Sequence, residues 1–179
     1  DNTLSQIRKA FTIDFDQKYL ADEITDFPYE EILKQIRKDT AINADFIEEL
    51  LNTQKDSKYS FSILSLIYPY LDYKNNNFHK DHLHPESKFS DLSDSDKNKY
   101  SWGQYNSICN LQMLDANENM SKNGKSLNEW VEKEVKTKDR TTFLENHLIP
   151  DVDLELNNFD NFYTSRKKIL TIKLTDLLS

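Results

Sequence analysis

Glycine is nearly missing from this chain: 2 of 179 residues, alongside only 4 prolines. A phosphate cradle built on glycine is thereby excluded, and neither a GxGxxG nor a GxxxxGK[ST] string occurs. The single cysteine, Cys109, excludes an internal disulfide framework and a four-cysteine zinc knuckle, and it fits a cytoplasmic location. No apolar run reaches membrane length and no signal peptide opens the chain, so no membrane partner is expected. A basic excess is lacking too. The formal charge is -8, opposite in sign to the excess that general DNA-binding domains use against phosphates. The initiating methionine is absent, which reads as an excised or processed piece of something larger.

What remains is a chain with 37% hydrophobic and 12% aromatic residues, enough for a core, and connections made of Asn, Asp, Ser and Lys. Apolar stripes at helical spacing recur at Leu4, Ile7 and Phe11, at Ile32, Leu33 and Ile36, and at Phe46, Ile47, Leu50 and Leu51. A more apolar helix is expected over 60–71, closed by Pro69. The run Lys74-Asn75-Asn76-Asn77 marks a boundary. Strands are expected over 78–85 and 108–114, separated by a polar loop (86–104) with one helical turn near 96–100. A short helix over 116–122 follows. Ser126, with Glu129 three residues on, predicts a capped helix start. Further helices are expected over 141–148 and 159–178. The fold class is thus α+β and mainly α-helical. Its regions are a helical part (1–75), a strand-strand-helix core (76–135) and C-terminal helices completing the same domain (136–179).

Strand, loop, strand and short helix is the topology that holds one divalent cation between a hairpin and a helix. Phosphodiester hydrolysis needs a base for water, a cation for the developing charge, and groups that fix geometry. The string His79-Lys80-Asp81-His82-Leu83-His84-Pro85 places a carboxylate beside an imidazole. Asn110-Leu111-Gln112-Met113-Leu114 follows, and Asn119-Met120-Ser121-Lys122 comes nine residues after Asn110.

These three blocks resemble the HNH (ββα-metal, or His-Me finger) nucleases, and the Asn110–Asn119–Lys122 spacing also resembles the HNH domain of CRISPR effector nucleases. The similarity is closest to the C-terminal nuclease domain of GmrSD-type modification-dependent restriction endonucleases. It is carried further by Glu86-Ser87-Lys88-Phe89, Asn106-Ser107-Ile108-Cys109, Ser126-Leu127-Asn128-Glu129-Trp130 and His147-Leu148-Ile149-Pro150. The resemblance implies an HNH endonuclease acting on DNA, including modified DNA, in restriction and antiviral defence. It implies His82 as general base, Asp81 and Asn119 as ligands of Mg²⁺ or Mn²⁺, and Asn110 as the residue that positions the histidine loop. Lys122 is implied to contact a phosphate or brace the helix. An N-terminal nucleotide-hydrolysing partner domain is also implied, although its Asp-Gly-Gln-Gln-Arg-like string does not occur here.

His84 and His79 are either further ligands or polar neighbours that hold the hairpin. Strand alternation sends His82 and His84 to one face and Asp81 to the other, unless the site sits at a strand end or bulge. Arg166, Lys167 and Lys168 form a basic cluster that either guides a DNA backbone or is a solvated helix face. Lys133, Lys136, Lys138 and Arg140 admit the same two readings. His147 is expected to be structural, and Trp102 and Trp130 to be core or loop anchors. The alternative to an enzyme is a catalytically silent DNA-binding or assembly module that keeps the fold.

Overall fold

In the computed structural model, Ser5 and residues 43–178 are described. The expected stripes at Leu4, Ile7, Phe11, Ile32, Leu33 and Ile36 lie outside the described residues. Residues from 43 onwards belong to one compact unit.

Helix α1 (Ala44–Leu51) starts where Asn43 caps Phe46 N through its side chain, and it buries Ile47 and Leu51. Helix α2 (Ser60–Ile67) buries Ile63, Leu64 and Ile67. It is one turn shorter than expected, because Tyr68 precedes Pro69 and leaves the helical region at φ -116° and ψ 60°. Strand β1 (Phe78–His82) pairs antiparallel with β2 (Leu111–Asp115), Asp81 standing opposite Gln112 and His82 opposite Leu111.

Both strands differ from expectation at the same end, for one reason. Asn110 Oδ1 accepts from His84 N at 2.9 Å, and Nδ2 donates to His84 O at 3.1 Å and to Tyr105 O at 3.0 Å. The backbone of residue 84 is therefore satisfied by a side chain instead of a ladder, and β1 stops at His82. Residues 108–110 wind into a 3₁₀ turn that delivers this amide, so β2 begins only at Leu111.

The segment expected as a long loop is instead a run of short helices. A 3₁₀ turn (Glu86–Asp91) leads to α3 (Asp94–Lys99) and α4 (Trp102–Tyr105). Ser93 caps α3 through Asp96 N, and Ser101 with Gln104 closes a capping box on α4.

Helix α5 (Ala116–Lys122) follows β2 directly, with Asp115 as its cap and Asn123 ending it in the left-handed region at φ 35°. Then come α6 (Leu127–Glu134) with the expected Ser126–Glu129 capping box, α7 (Arg140–Asn146), and α8 (Phe159–Leu178). The fold is α+β and mainly helical, with a single small antiparallel sheet among the described residues.

The core joins Leu51, Leu64, Leu83, Ile108, Leu111, Trp130, Phe159, Phe162 and Leu170, all fully buried. Helices α1, α2 and α8 contact the 3₁₀ turn before β2, so they support the hairpin from behind. Among the described residues no helix is long and apolar enough to cross a membrane.

Candidate functional site at the hairpin and helix α5

Opposed residues of an antiparallel pair share a sheet face, so Asp81 and Gln112 point one way while His82 and Leu111 point the other. Helix α5 joins the strands through Lys122, which is 2% exposed. Its Nζ donates to His82 O at 2.6 Å and stands 3.0 Å from Asp81 Oδ2. The contact is an ion pair, so the buried Oδ2 has the Lys122 ammonium as its partner. Burial pulls the Lys122 ammonium below its ordinary pKa, and attraction to Asp81 opposes the shift. Asn119 is half-buried and one turn before Lys122, hence on the same face of α5. Two oxygen-bearing side chains, one from β1 and one from α5, therefore belong to the Lys122 side of the hairpin. Lys122 itself is a brace, tied to strand backbone.

His82 is 2% exposed. Trp102 and Tyr105 of α4 pack their rings against it at 6.2 and 6.4 Å between centroids, and Phe89 packs on both. Its Nε2 lies 2.9 Å from Asn106 Oδ1. An amide oxygen only accepts, so Nε2 carries the proton and Nδ1 presents its lone pair. Burial holds His82 below the ordinary histidine pKa, and the Lys55 charge adds to the effect. Both effects favour the neutral ring, and Nδ1 is the nitrogen left to accept a proton. Asn110 grips the chain two residues later through both atoms of its amide, so it positions the strand end that bears the histidine.

His84 does not join this group. Its ring packs edge-on to Phe159 and Phe162, and burial lowers its pKa to about 3. His79 is exposed on β1, three residues before His82.

The basic cluster expected on the last helix is corrected. Arg166 is fully buried, donating to His147 O, Leu148 O, Tyr68 Oη and Leu111 O. Lys167 pairs with Glu48, and only Lys168 is exposed. An Arg/Lys patch for DNA is not formed there, because the guanidinium is consumed by the core. Within the other cluster, Lys138 pairs with Glu134 and Arg140 with Glu132 and Asp151.

His147 is a buried neighbour of Trp130 and Phe143, its Nδ1 3.2 Å from Gln112 Oε1. Its Nε2 lies 3.7 Å from Glu118, but burial lowers the imidazole to about 4 and raises the carboxyl, so the contact is not an ion pair at neutral pH.

Two neighbours of His82 carry no signal in the sequence. Asn106 lies within a quoted block but carries no spacing signal of its own. Lys55 lies outside every motif and reaches the site only through tertiary pairing.

No protein-family model and no curated protein matches this sequence.

Proposed function

We propose that this chain is the cutting part of a metal-dependent DNA endonuclease with an HNH-type site, serving defence against foreign, including modified, DNA in the cytoplasm. The observation that carries the reading is the junction of Asp81, His82 and Lys122. Asp81 and His82 are neighbours on β1 that present their side chains to opposite faces. Lys122 of α5 reaches both residues, its Nζ 3.0 Å from Asp81 Oδ2 and donating to His82 O, while His82 Nε2 is held by Asn106 Oδ1.

The donor types suit a hard cation. Asp81 and Asn119 offer carboxylate and amide oxygens, and Mg²⁺ or Mn²⁺ would be held by them. Among the described residues no three His, Cys, Asp or Glu side chains gather, so the cation's shell would be completed by water and phosphate oxygens. When bound, the cation would stabilise the charge that develops on the phosphate during hydrolysis. His82 takes a proton from the attacking water at Nδ1, and the Asn106 acceptor stabilises the imidazolium through Nε2–H. Lys122 keeps α5 and β1 in register, which sets Asn119 relative to Asp81.

Plasmid cleavage in Mg²⁺ or Mn²⁺ tests this. His82→Ala and Asn119→Ala are expected to lose about 100-fold or more of the parent's rate. Nicking that persists in both variants would sink the assigned site. A parent that is inert even when joined to an N-terminal partner domain, on modified and unmodified DNA, would make the silent module the better reading.

A further inference from the structure

The chain is acidic as a whole, yet three lysines, Lys122, Lys80 and Lys55, stand around the end of β1 that carries His82, alongside the carboxylates of Asp81 and Glu86. Two of the three ammonium groups are engaged. Lys122 is spent on His82 O and Asp81. Lys80, on the His82 face of β1, donates to Lys55 O and to Ser60 Oγ. Lys55 differs: among the described residues its ammonium makes no ion pair and no hydrogen bond.

The Lys55 backbone is nonetheless held firmly beside the histidine. Its N–H donates to Asn106 O at 2.9 Å, and Asn106 is the residue whose side chain holds His82 Nε2. Gln54 forms a β-bridge with Ser107, and Ile108 N donates to Thr53 O at 3.0 Å. The segment 53–55 is thus an extra edge laid along the chain that carries Asn106. Lys55 is half-buried, and an ammonium whose backbone is fixed beside His82 and which is spent on no internal acceptor among the described residues is free to donate to a phosphate oxygen.

We propose that Lys55 is a phosphate-binding residue of the cleavage site, its ammonium engaging a non-bridging oxygen of the DNA phosphodiester presented to His82. The proposal rests on the nuclease reading and adds a residue from well before the motif. It also explains how an acidic chain tolerates a polyanion at this one place.

Binding of a fluorescent DNA duplex, followed by anisotropy in EDTA across a range of salt concentrations, tests it without cleavage. Lys55→Gln is expected to raise Kd about tenfold at low salt. The slope of log Kd against log salt is expected to fall by about one. Lys55→Arg should restore both, and Lys173→Gln, on α8, should change neither. A purely structural Lys55 would leave the salt slope unmoved once thermal melts show the variant folded. If the parent cuts DNA while Lys55→Gln binds with the parent's affinity and slope, the Lys55 assignment is wrong and the nuclease reading survives. If the parent neither binds nor cuts DNA, both fall.

Discussion

Within the candidate site, the His82 ring is set by a box of neighbours: Trp102 and Tyr105 pack against it and shield it from bulk solvent, and Asn106 fixes which nitrogen holds the proton. Burial is the largest influence on its pKa and acts downwards. Trp102 is the wall open to solvent, 38% exposed, so it is the wall that can be removed without emptying the core. Trp102→Ala lets water reach the imidazole and relieves the downward shift, moving the pKa up towards its ordinary value. A base works only unprotonated, so the acid limb of the pH–rate profile should move to higher pH in the variant. Single-turnover cleavage between about pH 5 and 8, the range in which histidine titrates, checks this; an unmoved or downward-moved limb would contradict the box. Asp81, His82 and Asn119 stand out in the sequence through the types and order of their blocks, and the structure puts Asp81 and His82 on β1 and Asn119 on α5. The sequence leaves Asn106 and Lys55 unread, since a side chain or backbone recruited by tertiary pairing leaves no periodicity.

Elements were legible where a cap or a stripe announced them. Ser126 and Glu129 gave α6, and the apolar positions of 159–178 gave α8. The strand ends were not legible, because the clamp of Asn110 on residue 84 is a choice between ladder and side chain that alternation does not encode. The short helices of 94–105 carried Ser-x-x-Asp and Ser-x-x-Gln starts, but their polar sequences offer no apolar stripe to match. Helix α5 matters most, being only seven residues long and bearing both Asn119 and Lys122. Asp115 Oδ1 accepts from Glu118 N at 2.8 Å and begins it. Loss of such a cap costs about 1 kcal/mol, and a carboxylate at a helix start also favours the dipole. Asp115→Ala should therefore lower stability by about 1 kcal/mol in urea titration. It should reduce cleavage more than stability, since fraying displaces Asn119, whereas Asp115→Asn should recover most of both. Equal losses in the two variants would argue that capping is not what Asp115 supplies.

At the scale of the whole molecule, the least legible feature is Arg166. In sequence it heads a basic triplet and resembles a surface guide for phosphate; in the fold it is a fully buried tie between separate segments. Its Nη1 bonds His147 O at 3.0 Å and Leu148 O at 2.7 Å, after α7. Its Nη2 bonds Tyr68 Oη at 3.0 Å, after α2, and Leu111 O at 2.7 Å, at the start of β2. Among the described residues no carboxylate pairs it, so carbonyl dipoles and a phenol carry the whole compensation for its charge. Periodicity places Arg166 on a helix, but only the packing of α8 over the hairpin decides whether that position meets water or backbone. Arg166→Met keeps volume while removing the guanidinium donor from Leu148 O, Leu111 O and Tyr68 Oη (His147 O keeps the Tyr68 hydroxyl). Buried hydrogen bonds to a charged group contribute about 1.5–3 kcal/mol each without being additive. A loss of about 4 kcal/mol is expected, lowering Tm by about 10 °C. If Arg166 instead guided DNA, the variant would melt near the parent and bind DNA more weakly. The fold requires the opposite: a large fall in Tm, with DNA affinity below that Tm set only by the folded fraction, because the site is tied together through Leu111 and touches no phosphate through Arg166.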